Sequence, residues 1–329
     1  MRCRDFLAYL VGAAGSLPLA ANSQSGGSVR RVGILIEFAE SDPEAQARLS
    51  ALWTGLNALG WRDGDNLRSD LRFAGGDAAR IQSLAAELAA SVPDIILGSG
   101  APVAAALQRA TRSVPIVFVQ ISDPVGAGLV PSLGHPGGNI TGFTNFEYPM
   151  AGKWGETLKE MVPSIERVLL VQNPANFGWP GYLRAMTDAA PLLKVGLTPG
   201  AVQDASTIRR VIDEFAREPN GGLIVLPDTT TSAHRELIVM LAARHRLPAI
   251  YPFRFFVDGG GLMSYGLDVL DVFRRAASYI DRILRGEKPG DLPVQKPDKF
   301  ELRINLKTAR ALGITPPFAL LIRADEVIE

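Results

Sequence analysis

The sequence is poor in cysteine, in histidine and in net charge. Its one cysteine in 329 residues is Cys3, at the extreme N-terminus. The remainder of the chain therefore forms no disulfide and offers no thiolate nucleophile and no cysteine metal site. Thirty-four Lys and Arg balance thirty-four Asp and Glu, which argues against a dedicated nucleic-acid binder. The three histidines, His135, His234 and His245, show no metal-ligand spacing. There is no Walker A sequence and no G-x-S-x-G elbow, and Gly98-x-Gly100-x-x-Val103 lacks the third glycine of a dinucleotide fingerprint. With no nucleophile, metal or cofactor motif, the chain reads as a non-enzyme without cofactors.

Long apolar runs are also missing, apart from one short run at the start. Arg2 and Arg4 precede the apolar stretch 6–20, and Ala21-Asn22-Ser23 offers a cleavage site of small residues. This pattern is that of a signal peptide over 1–23, removed on export to the periplasm. Cys3 separates the two arginines, so the Sec and twin-arginine routes both stay open. No other stretch has the length and apolar content of a membrane span.

What is present is a strand–helix alternation long enough for two domains. Short apolar runs at 31–36, 94–97 and 115–120 read as buried parallel strands, and 67–73 as a half-buried one. Ser41-Asp42-Pro43-Glu44 reads as a helix start, with a glutamate three after the serine. A glycine- and proline-rich stretch covers 126–142, and the first domain boundary is placed at its end. The alternation then restarts, with strands at 167–172, 195–202, 222–226 and 248–251. The expected fold is α/β: two Rossmann-like lobes with parallel sheets. Gly261-Leu-Met-Ser-Tyr-Gly266 is read as an extended segment crossing between them, followed by an amphipathic helix on the first lobe. A third crossing is expected at 293–297.

In open parallel sheets, ligands bind at the carboxyl ends of the strands. Four such ends are polar here: Ser99-Gly100-Ala101, Ser122-Asp123-Pro124, Asn173 and Asp228-Thr229. Ser99 leads into a helix N-terminus, which suits a ligand carboxylate, and Asp228 suits a ligand ammonium. The alternative is that Ser99 and Asp228 only cap helices. Glu37, Tyr251, Phe253, Tyr265 and Trp179 are further cleft candidates.

Several of these stretches carry a family resemblance. Pro115-Ile-Val-Phe-Val, Asp123-Pro124 and Gly137-Gly-Asn-Ile-Thr-Gly142 resemble ABC transporter substrate-binding proteins of the type I periplasmic-binding fold. So do Gly260-Gly-Leu-Met-Ser-Tyr-Gly266, Leu292-Pro-Val294 and Phe300-Glu-Leu-x-Ile-Asn305. The similarity is to the branch that includes tryptophan- and tyrosine-binding components. It implies a monomeric extracytoplasmic receptor whose lobes are joined by three crossings and close on a small ligand, an amino acid or similar zwitterion. It implies a membrane permease as partner, with a ligand sensor as the alternative role. The implied lobes are 30–142 plus 265–293, and 143–263 plus 297–329. The implied grip is Ser99 to Ala101, Ser122 to Pro124, Asn173, Asp228 and Thr229, with Ser264 at the hinge. Phe177 and Trp179 stand where the family commonly has small or polar residues, which implies a shifted ligand preference.

Overall fold

The computed structural model describes residues 29–329. The expected signal peptide and Cys3 lie outside the described residues. Two sheets organise the chain. The first contains β1 (Arg30–Ile36), β2 (Leu67–Phe73), β3 (Ile95–Ser99), β4 (Ile116–Ile121) and β5 (Ile140–Thr144), in the order β2-β1-β3-β4-β5. Its pairings are all parallel, with Val32 beside Ile95 and Ile96 beside Ile116. The second contains β6 (Arg167–Gln172), β7 (Gly196–Ala201), β8 (Gly221–Val225), β9 (Ala249–Tyr251), β10 (Met263–Gly266), β11 (Glu301–Asn305) and β12 (Glu326–Ile328). Their order is β12-β11-β10-β9-β8-β6-β7.

The strand sequences explain this layering. Every residue of β3, β4 and β8 is buried, as expected for central strands covered by helices on both faces. Alternate residues serve opposite faces. Ile34, Ile36, Leu97 and Val117 pack with the helices Pro43–Ala58 and Val269–Leu284 on one side. Leu35, Ile96, Ile116 and Phe118 pack with the helices Ala78–Ala90 and Ala101–Ala110 on the other. The helix Pro43–Ala58 and the returning helix Val269–Leu284 approach so closely that a Cβ on Gly55 would lie 2.6 Å from the Arg274 carbonyl oxygen.

The chain passes between the sheets three times. It leaves β5 for the helix Met150–Met161, which packs on the helix Trp179–Leu193 beside the second sheet. It returns after β10 to the helix Val269–Leu284. It crosses again past Gln295, whose N–H donates to the Gly142 carbonyl at 2.9 Å, before entering β11.

Four local features differ from the sequence reading. Ile140–Thr144, inside the glycine-rich stretch, is the edge strand β5. The cap of the first helix is Asp42, whose carboxylate accepts from the Glu44 N–H at 2.9 Å, so Ser41 and Glu44 form no capping box. Met263–Gly266 is a strand, paired with β9 and β11, and the crossing begins only beyond Gly266. The β10–β11 pair is antiparallel, because the chain leaves the second sheet along β10 and re-enters from the same end.

Gly266 is needed for space rather than for a special dihedral. A Cβ there would lie 1.8 Å from the Pro252 carbonyl oxygen. Gly266→Ala is therefore expected to force β9 and β10 apart and to cost about 1–3 kcal/mol, read as a lower urea midpoint with an unchanged slope. An unchanged midpoint would show that this strand contact yields freely.

Candidate ligand-binding cleft

The carboxyl ends of β1, β3 and β4 face those of β6, β8 and β9. Between them lies a cleft with about 400 Å³ of space, open solvent at its mouth included. The first lobe contributes Glu37, Arg48, Gly100, Ala101, Gln120 and Ser122, and the second contributes Asn176, Asp228, Thr229, Ser232 and Phe253. Asn145, on the first crossing, completes the lining. The lobes also approach each other at Gly100. Its φ of +91° suits glycine alone, and a Cβ would sit 3.4 Å from both the Glu37 Cδ and the Thr229 Oγ1.

The base of the cleft carries buried polar atoms with no partner in the protein. Arg48 Nη1 donates to Glu37 Oε1 at 2.9 Å, with both side chains almost wholly buried. Glu37 Oε2 and Arg48 Nε are unpaired. Gln120 is 8% exposed, and both its amide oxygen and nitrogen lack a partner. Its φ is +66°, at the point where the β4–β5 register shifts. A bulge therefore turns this side chain out of the strand ladder and into the cleft. Ser99 is also fully buried with its Oγ unpaired, just before the helix Ala101–Ala110, but it does not itself line the cleft. Buried polar groups are normally bonded, so this cluster marks where a bound molecule would complete the hydrogen bonding.

Asp228 does cap a helix. Its carboxylate accepts from the Thr231 N–H at 2.9 Å and from the Asn173 N–H at 2.6 Å. Burial pushes this carboxyl up to about 6, against the partial relief of those backbone donors. Each carboxylate oxygen retains a second lone pair, so capping and ligand binding are compatible.

The structure brings together Glu37, Gly100, Ala101, Ser122, Asp228 and Thr229 of the residues chosen from sequence, together with Phe253. It places the others elsewhere. Asn173 lines an adjoining chamber. Asp123 accepts from the Tyr148 hydroxyl at 2.7 Å and from the Gly126 N–H, and Pro124 is buried as the root of a turn. Tyr251 is stacked on Phe256 in the core. Ser264 is buried within β10, and Tyr265 packs near Phe300; neither lines the cleft. Trp179 packs against the core.

Sequence reasoning missed Arg48, Gln120, Asn145, Asn176 and Ser232. Arg48 had a signal: it sits with Ala45, Leu49 and Leu52 on the buried stripe of its helix, where a charge needs a buried partner. Gln120 had a weaker one, as a polar residue closing an apolar strand.

Three bonds join the lobes around the cleft. Arg235 pairs bidentately with Asp42, both contacts at 2.9 Å. The Tyr182 hydroxyl donates to Ser122 Oγ at 2.9 Å, and the Tyr148 hydroxyl donates to Asp123 as above.

Known proteins share this architecture. The chain is 26% identical over 287 residues to a tyrosine-binding protein of Clostridioides difficile, covering 87% of this chain and 81% of that one. A conserved domain protein of Vibrio cholerae superposes with a TM-score of 0.85 at 29% identity, covering 91% of this chain and 99% of that one. An ABC domain from Streptococcus pneumoniae in complex with L-Trp gives 0.85 at 26% identity, covering 92% and 100%. The family model described as ABC transporter substrate binding protein matches residues 33–328, nearly all of the described fold, and the chain belongs to that family.

Proposed function

We propose that this protein is the exported, periplasmic solute-binding component of an ABC importer, and that its two lobes close on a zwitterionic amino acid. The observation that carries this reading is the set of unpaired buried polar atoms at the cleft base, contributed by Glu37 and Gln120. A ligand carboxylate fits the free N–H groups opening the helix at Ala101. A ligand ammonium fits between Glu37 Oε2 and Asp228. The relatives named for tyrosine and crystallised with L-Trp favour an aromatic amino acid.

Closure follows from the placement of these groups. Both lobes line the cleft, so a bound ligand contacts both and stabilises the closed form relative to the open one. Arg235–Asp42 and Tyr182–Ser122 add direct bonds that exist only when the lobes meet. The proposed lobes are 30–142 with the returning helix to 293, and 143–263 with the C-terminal segment. A monomer presenting both lobes to a membrane permease is the simplest assembly, with a signal peptide over 1–23 and no catalytic role.

A thermal-unfolding screen of ligand-free protein against the common amino acids tests the reading. The matching ligand at a hundred times its Kd should add about 2.7 kcal/mol of stability. Stabilisation by sugars or nucleobases alone, with none by any amino acid, would overturn it.

The Asp228 carboxyl gives a second test. Its native pKa, about 6, lies above the ordinary carboxyl value. In the ligand-free protein its contribution to stability is fully present below about pH 4 and is lost as pH rises through 6. A bound ammonium favours the ionised form and reverses this bias. Amino-acid affinity is therefore expected to fall by up to about tenfold per pH unit below 6, with proton release in calorimetry at pH 5.5. Asp228→Asn should weaken binding and flatten the pH profile. Full affinity and an unchanged profile in this variant would remove Asp228 as the ammonium partner.

A further inference from the structure

A second chamber opens directly from the cleft. It shares Ala101, Asn176, Asp228 and Thr229 with the polar base and contains about 810 Å³ of space, open solvent at its mouth included. Its walls have a different chemistry. The helix Ala101–Ala110 presents Ala101, Ala105 and Arg109 at four-residue spacing, on one face. The helix Ala78–Ala90 presents Ile81 and Gln82 opposite. From the second lobe come the polar side chains Asn173 and Thr230, together with Phe177, an aromatic ring left 46% exposed on the loop after β6.

The chamber is a groove with a direction. At 1.5 Å per residue, Arg109 lies about 12 Å along the helix from Ala101. The floor between them is made of small apolar side chains. The outer end is polar, where Arg109 Nη2 donates to Gln82 Oε1 at 2.9 Å. The cleft base is the reverse: apart from Ala101, Pro227 and Phe253, polar residues line it. An apolar side chain buried at the base would leave the Gln120 amide and Glu37 Oε2 without partners, a desolvation cost with no return. In the groove the same side chain would cover the exposed face of Phe177 and the exposed Pro102.

We propose that this groove is the side-chain subsite of the ligand. A flat apolar side chain lies over Ala101 and Ala105 beneath Phe177, while the zwitterionic head remains among Glu37, Gln120 and Asp228. The proposal rests on the amino-acid reading of the base. It assigns selectivity between amino acids to the helix Ala101–Ala110 and the Phe177 loop.

The test uses calorimetric titration of the full-length mature protein with L-tryptophan and L-tyrosine. Ala105→Phe fills the groove, and the Kd for both ligands is expected to rise at least tenfold. Phe177→Ala, on an exposed loop where folding is not at stake, is expected to raise Kd by about threefold to tenfold. The pH dependence of the remaining binding should persist in both variants, because the head still meets Asp228. Unchanged Kd in Phe177→Ala, or in an Ala105→Phe protein with wild-type melting temperature, would overturn the side-chain subsite and leave the head-group reading intact. Failure of the wild-type protein to bind either ligand would show in the first titration and overturn the subsite, and failure with every amino acid in the unfolding screen would overturn both together.

Discussion

The ion pair of Glu37 and Arg48 is the interaction on which the cleft depends. Two charges are taken out of water at the end of β1, at a desolvation cost that only close pairing offsets. Arg48 pairs with Glu37 at 2.9 Å and lies over the Phe38 ring, 4.5 Å from its centroid, and near Phe273 at 5.7 Å. Phe273 belongs to the helix that returns from the second lobe. The second crossing therefore closes over the cation as well as the core. Arg48 also holds the Glu37 carboxylate with one oxygen bonded and the other left free at the base of the cleft. A fixed, half-satisfied carboxylate is a preorganised partner for a ligand donor, since its ordering cost is met in folding rather than in binding.

The same economy recurs at the other cleft residues. Gln120 is turned inward by a bulge, with a backbone conformation that costs energy in a non-glycine residue. Gly100 keeps the lobes close enough for Thr229 to face Glu37. Asp228 is held by two backbone donors before any ligand arrives. Each is set by rigid strand ends, and the strand ends are set by cores buried on both sheet faces. The two halves of the site meet through Arg235–Asp42 and Tyr182–Ser122, and the three crossings are the only covalent links between them.

Much of this was legible in the sequence where one signal dominated. Fully apolar runs such as Ile116-Val-Phe-Val119 are strands because nothing else buries them so completely. Asp77 and Asp228 cap helices as their positions suggest. The failures have physical causes. Ile140–Thr144 was hidden because Gly142 interrupts the strand pattern; there a Cβ would meet the Phe118 carbonyl oxygen at 2.0 Å, so glycine marks close packing rather than a loop. Ser264 and Tyr265 drew notice as polar residues between glycines, yet strand pairing takes them into the second sheet. Arg48 and Gln120 matter through contacts with residues distant in sequence or through an unusual dihedral, and neither property is written in local spacing.

The division between a polar base and an apolar groove has a consequence for selectivity. A site built to hydrogen-bond a polar group rejects ligands lacking that group by about 10⁴–10⁵, because its own buried atoms are then left bare. An apolar wall separates ligands differing by a methylene by only about 10–200-fold. On the proposed amino-acid reading, the base enforces the ammonium and carboxylate strictly, while the groove ranks side chains in a graded way. Alanines along the groove floor make this ranking easy to alter, since each added methylene on the protein removes space from the ligand without touching the head-group contacts. A receptor arranged in this way can keep its ligand class fixed at Glu37, Gln120 and Asp228 and change its preferred member of that class at Ala105 and Phe177.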